Sequence, residues 1–303
     1  MQIIRNLNSK SLAKVPAFAA TIGNFDGVHL GHLHIIKEVK KIAKEKNLAS
    51  AILTFEPHPI AFFHAQKKEN FRITSLAQKL KIFCDAGIDY AIILPFDKKF
   101  SEISATDFAN KILLEALNIK HLTIGYDFTF GKNREGNFKL LEILNVNLSE
   151  ISPVKKDDHT CSSTSVRKFI SEGKIIEANR ILGRNFAVEG IVNEGRKLAS
   201  QLGFPTLNLS AKPQIIKPKF GVYKTETFIP SLNKKFSSIT NFGIKPTLGG
   251  DTQPLFETHI PNFSQNIYGK KIFVEFIDFI RDEKKFSSLE ELKNQIVKDL
   301  ALL

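Results

Sequence analysis

His29-Leu30-Gly31-His32 is the part of this chain best suited to chemistry, and it follows directly on Gly23-Asn24-Phe25-Asp26-Gly27-Val28. Imidazoles can donate hydrogen bonds to phosphate oxygens as charge builds up in a group transfer. Before the loop, the apolar run 17–22 reads as a buried strand. After it, 33–46 has helical spacing, with Leu33, Ile36, Val39 and Ala43 on one stripe and lysines opposite. The two histidines therefore fall at a helix N-terminus, where first-turn N–H groups lack partners and the helix dipole favours an anion. Gly23, Gly27 and Gly31 are expected to allow unusual backbone angles and the close approach of a ligand. The spacing is that of neither the dinucleotide-binding nor the P-loop glycine motif.

Two further constellations suit phosphate. In Ser162-Ser163-Thr164-Ser165-Val166-Arg167, hydroxyls at a helix start and a cation one turn along make a second anion cradle, with an ordinary Ser/Thr cap as the competing reading. In Gly203-Phe204-Pro205-Thr206-Leu207-Asn208, Thr206 and Asn208 alternate on a strand and point the same way. A hydroxyl and an amide oxygen are hard ligands suited to Mg²⁺ with bound phosphates. Asp127, after a strand, reads equally as a turn residue.

The elements that must position these residues change character along the chain. In the first half, apolar strands at 49–55, 90–94 and 121–124 alternate with helices at 75–86 and 105–117, the latter capped by Ser104. That pattern predicts an α/β fold, a Rossmann-like parallel sheet covered on both faces, with ligands outside the carboxyl ends of its strands. A helix is expected over 166–182. Residues 186–280 are short alternating segments broken by Gly, Pro and Asn, which predicts a small antiparallel β-barrel. A final helix, started by a capping box at 287–290 and apolar at Leu289, Leu292, Ile296 and Leu300, closes it. The domain boundary is placed at 183/184.

Taken together, the motifs resemble those of the bacterial bifunctional riboflavin kinase/FAD synthetase family, whose nucleotidyltransferase half carries His-x-Gly-His. Thr54-Phe55-Glu56-Pro57-His58-Pro59 and the segment from Ile124 to Lys132 match that half. Phe256-Glu257-Thr258-His259, Asn241-Phe242-Gly243-Ile244-Lys245-Pro246-Thr247 and Ile280-Arg281-Asp282-Glu283 match the kinase half. The resemblance implies an FMN adenylyltransferase domain at 1–183 and a riboflavin kinase domain at 184–303, using ATP and Mg²⁺ and holding FMN and FAD as product ligands. It implies that His29 and His32 are catalytic in adenylyl transfer and that Gly23, Phe25, Gly31, Ser163, Thr164 and Arg167 bind ATP. Asp127 and Arg281 would face flavin, Thr206 and Asn208 would hold phosphate and Mg²⁺, and Glu257 would be the base of the kinase. The chain departs from the family at Ser165 and Lys245, where Arg is usual, and at Ala199-Ser200, where Gly-Arg is usual. Arg196 or Lys197 could compensate for the last change. The departure at Ala199-Ser200 keeps open an alternative, a monofunctional FMN adenylyltransferase with a kinase-deficient flavin-binding barrel.

Composition bounds the rest. The 303 residues suffice for two domains, and 43% hydrophobic with 24% charged is ordinary for a globular protein. A net charge of +12 invites a nucleic-acid partner, but the basic residues are spread along the chain without basic-aromatic clustering, so none is expected. Cys84 and Cys161 have no paired spacing, which argues for a reducing compartment. With no signal pattern and no membrane-spanning apolar run, a cytoplasmic location is expected. Oligomeric state is left open.

Overall fold

Strands rich in Ala, Ile and Leu bury themselves when both faces of a sheet are covered, and the first part of the chain does this. A computed structural model describes residues 1–5, 15–63, 70–194, 202–210, 213–246 and 252–303. They form two compact units, Met1–Glu69 with Thr74–Ser162, and Asn70–Ile73 with Ser163–Leu303.

The first unit holds β1 (Gln2–Arg5), β2 (Phe18–Ile22), β3 (Ala49–Glu56), β4 (Tyr90–Pro95), β5 (Ile119–Gly125) and β6 (Leu148–Ile151) in one parallel sheet. The strand order is β1-β4-β3-β2-β5-β6, so the order reverses between β2 and β5. Helices α1 (Leu30–Glu45) and α2 (Leu76–Asp85) cover one face, where Ile36 and Phe83 pack with Ile52 and Ala91. The other face takes Ala51, Leu53, Ile92 and Leu94 against Phe108, Ala109 and Leu113. Ser75 caps α2 in a full capping box with Gln78. The helix expected at 105–117 is present and capped by Ser104, but Phe108–Ala116 is wound as a π-helix. A two-residue hairpin, β7 (Lys155–Lys156) with β8 (His159–Thr160), follows β6.

In the second unit, the single helix expected at 166–182 is two, α3 (Ser163–Ser171) and α4 (Ile175–Leu182). Gly173 takes φ +77° between them, a left-handed angle that ends the first helix. Six antiparallel strands, β9 (Phe186–Asn193), β10 (Thr206–Ser210), β11 (Gly221–Ile229), β12 (Lys234–Pro246), β13 (Thr252–His259) and β14 (Lys271–Arg281), form a closed barrel. Pairing of β9 with β10 completes it. Phe242, Phe256, Phe276 and Tyr223 fill the interior, together with a chain of buried hydroxyls running Thr227, Ser238, Thr225, Thr240, Thr258 at 2.8–2.9 Å. Each hydroxyl has at least one partner in this chain, so burial leaves none unsatisfied.

Helix α5 (Leu289–Leu300) starts one residue later than expected. Ser288 is its cap, accepting from the Glu291 N–H, while the Glu291 carboxylate reaches back to Ser287. Leu289 is 66% exposed rather than on the buried face. The Asp299 carboxylate, paired with Arg281, and Lys224, bonded to the last carbonyls, tie the helix to the barrel.

Candidate functional sites

The Gly-His loop leaves the carboxyl end of β2, at the reversal of strand order where open α/β sheets bind ligands. The loops after β3, carrying Glu56, Pro57 and His58, and after β5, carrying Tyr126 and Asp127, flank it. His29 is the cap residue of α1, its Nδ1 accepting from the backbone N–H of His32 at 3.4 Å. The two imidazoles stack at 3.6 Å between centroids and 22° between planes. Beneath them the Phe25 ring meets His32 at 5.0 Å and Phe83 at 5.6 Å. Phe25 is 2% exposed, so its side chain supports the histidines from the core, and any contact it makes with nucleotide falls to its backbone.

The unusual backbone angles expected of the glycines occur at one of three. Gly27 has φ +81°, whereas Gly23 and Gly31 have none of the angles that need glycine. The left-handed residues of the loop are instead Phe25 at φ +47° and Val28 at φ +40°. Gly31 is favoured by contact: a Cβ there would lie 3.1 Å from His29 Nδ1 and 3.2 Å from the Cys161 carbonyl, tighter than ordinary contact. The buried Cys161 thiol is pushed up by desolvation, with the Gly31 backbone hydrogen bond pulling the other way. Asp127 is exposed in the turn after β5, whose Phe128 N–H returns to the Gly125 carbonyl.

Sequence reading missed the residues that brace this loop. Asp26 is buried and accepts from the Thr74 N–H at 3.3 Å, and Thr74 Oγ1 accepts from the Gly27 N–H at 3.2 Å. Lys79 donates to the Asn24 carbonyl at 2.6 Å. The available signal was a lysine lying with Leu76, Leu80 and Phe83 on the apolar stripe of its helix.

Ser163, Thr164 and Arg167 occupy the first turns of α3, in the second compact unit. The Arg167 Nε donates to the Phe71 carbonyl at 2.7 Å, and its guanidinium lies 6.0 Å from the Phe71 ring.

In the barrel, register aligns the expected kinase residues. Glu257 on β13 is directly opposite Asn208 on β10 and Asn241 on β12, and Thr206 is opposite His259. Residues paired in this way share a face, so Thr206, Asn208 and Glu257 converge on one patch. His259 is fixed by a 2.8 Å bond from its Nδ1 to the Pro205 carbonyl. Beside Thr206 opens a cavity of about 410 Å³ walled by Pro205, Leu207, Ile260, Ile267 and Tyr268. Arg281, expected on the flavin side, is also a structural residue. Its Nε and Nη2 grip both oxygens of Asp299 at 2.6–3.1 Å, Nη1 bonds the Asp282 carbonyl, and the group pins α5. Ala199, Ser200, Arg196, Lys197 and the side chain of Lys245 lie outside the described residues.

For Mg²⁺ the donor set fits. Among the described residues no cluster of three His, Cys, Asp or Glu forms an all-protein cage. A hydroxyl, an amide oxygen and a nearby carboxylate suit an ion that keeps its waters and substrate phosphates.

A sheet with a His-x-Gly-His helix start at its switch point, in one chain with a barrel presenting Thr, Asn and Glu on one face, defines a two-site phosphate-handling protein. Comparison with known proteins gives the particulars. The FAD synthetase family matches residues 13–165 and the riboflavin kinase family residues 182–303. A bifunctional riboflavin kinase/FMN adenylyltransferase of Buchnera aphidicola from Schizaphis graminum is 39% identical, covering 100% of this chain and 98% of its own. The protein of that name from Escherichia coli K12 is 34% identical, covering 99% and 96%. A solved structure described as a macrolide-efflux protein from Streptococcus pneumoniae superposes with a TM-score of 0.88 at 27% identity, over 100% of this chain and 98% of that one. The chain belongs to the bifunctional riboflavin kinase/FMN adenylyltransferase family. With both families matched on one chain and full-length relatives named bifunctional, the monofunctional alternative gives way.

Proposed function

We propose that this chain phosphorylates riboflavin to FMN at its barrel and adenylylates FMN to FAD at its parallel sheet, with ATP as co-substrate in both steps. The observation that carries the reading is the alignment of both families, end to end, on one chain that also matches bifunctional relatives. The functional division falls at 183/184.

In adenylyl transfer an FMN phosphate oxygen attacks the α-phosphorus of ATP, and pyrophosphate leaves. Such chemistry rests on positioning and on neutralising charge. His29 and His32 donate to the triphosphate, Gly23 and Gly31 keep the approach open, and Ser163, Thr164 and Arg167 supply a further cradle for ATP phosphates. Asp127 faces flavin. The stacked histidines support this, because the His32 backbone N–H holds the His29 ring and the two rings pack face to face.

In the kinase step the ribityl hydroxyl attacks the γ-phosphorus, ADP leaves, and Glu257 accepts the hydroxyl proton. Thr206 and Asn208 would hold Mg²⁺, which when bound neutralises the phosphates. The cavity beside Thr206 is of ligand size, with Ile260, Phe263 and Ile267 beside polar Ser264, Gln265 and Asn266 in its wall, and suits the base of ATP.

The substrates are riboflavin, FMN and ATP, with no nucleic-acid or membrane partner, and the cytoplasm is the compartment. Both cysteines are free, which fits a reducing compartment. A chromatographic time course with riboflavin, ATP and Mg²⁺, repeated from FMN, tests the reading. FMN followed by FAD is expected. FAD from FMN alone, with riboflavin untouched, would refute the kinase half.

A further inference from the structure

A lysine buried to 4% exposure on the inner face of α2 is costly unless its amine is held by hydrogen bonds. Lys79 meets that condition beneath the Gly-His loop. Its Nζ donates to the Asn24 carbonyl at 2.6 Å and to Thr54 Oγ1 at 3.4 Å, and Thr54 Oγ1 donates to the same carbonyl at 3.3 Å. The peptide so held precedes Phe25 and Val28, an aromatic and a β-branched residue at φ +47° and +40°. Side chains of these kinds avoid such angles, and the strain persists only where surrounding structure over-determines the backbone. Lys79 and Thr54 fix the loop at Asn24, Thr74 fixes it at Asp26 and Gly27, and the Gly23 N–H is tied to the Leu53 carbonyl at 3.1 Å. The Phe25 ring set by this backbone carries His32 at 5.0 Å.

We propose that Lys79 is a positioning residue for adenylyl transfer, holding the Asn24 peptide so that the loop presents His29 and His32 to the phosphates. This rests on the reading of the histidine pair given above. Lys79 touches no substrate and acts through the loop. Thr54, which shares the same carbonyl at longer distance, is the weaker half of the device.

The test uses the full chain with Lys79→Met, which keeps the length and removes the amine, and Lys79→Gln, which restores an N–H donor. Steady-state FAD formation from FMN and ATP, FMN formation from riboflavin, and thermal melting are measured on each. In Lys79→Met, kcat for FAD should fall at least about tenfold while the KM for FMN stays within about twofold, as for a misplaced catalytic group. Riboflavin phosphorylation should be unchanged, and Lys79→Gln should recover part of the kcat. A wild-type kcat in folded Lys79→Met overturns the inference while leaving the adenylyltransferase reading intact. A loss that only follows the unfolded fraction, equal in Met and Gln variants, also overturns it. If Lys79→Met does not fold, Thr54→Val decides: a reduced kcat is expected, and an unchanged one overturns the proposal. A wild-type protein that makes no FAD from FMN removes the adenylyltransferase reading itself and the inference with it.

Discussion

Gly31→Ala separates the chemistry of the histidine loop from its stability. In a helix alanine is favoured over glycine by up to about 1 kcal/mol, so on propensity alone the variant should be no less stable. Contact decides otherwise for the site. The new Cβ would lie 3.1 Å from His29 Nδ1, 3.2 Å from His29 Cε1 and 3.2 Å from the Cys161 carbonyl, where ordinary contact begins at 3.4 Å. The carbonyl is backbone, so the imidazole must yield by about 0.3 Å, the difference between 3.4 and 3.1. That ring stacks on His32 and already accepts from its N–H at a long 3.4 Å, so the shift passes to both histidines. If a 1 Å misplacement costs about a hundredfold, a shift of about 0.3 Å costs about fourfold, or about 0.8 kcal/mol of transition-state stabilisation. The assay is FAD formation from FMN and ATP, with FMN formation from riboflavin in the same preparation as the internal reference. FAD formation should fall about fourfold with melting and phosphorylation preserved. Wild-type FAD formation by a folded Gly31→Ala protein would refute the placement of the histidine pair at the reacting phosphates.

Three other outcomes are expected. Glu257→Gln should abolish most FMN formation from riboflavin and spare FAD formation from FMN, and a normal kinase rate in that variant would remove the proposed base. His121 is buried, with Nε2 at 2.9 Å from Ser149 Oγ and no partner for Nδ1 among the described residues; desolvation, helped by Lys46, lowers its pKa from 6.5. The unfolded chain therefore binds the proton more readily, so stability should decline as pH falls below about 6.5, and His121→Gln should flatten that decline in thermal melts across pH 5–8. Asp299→Ala, which strands the Arg281 guanidinium, should destabilise the barrel by about 3 kcal/mol in denaturant titration, and removing both partners should cost less.

Much of this protein was legible in its sequence. Alternating apolar strands and helices with clean stripes named the parallel sheet, because burial on two faces leaves a periodic trace. The glycine-histidine string at a strand-to-helix junction marked the first candidate site, since a helix N-terminus is suited to an anion. Thr206 and Asn208 on one strand marked the second candidate. What tertiary structure alone decided lies in contacts between segments far apart in the chain. Register brought Glu257 opposite Asn208 and Asn241, and pairing of β9 with β10 closed the barrel. Gly173 split one helical period into two helices, because the stripe continues across a turn that reverses nothing in the pattern. Arg281 found Asp299, and Lys79 found the Asn24 carbonyl 55 residues away. A sequence shows the type of a polar residue and its place on a helix face. Only the fold supplies the partner that makes its burial tolerable, because that partner comes from another element.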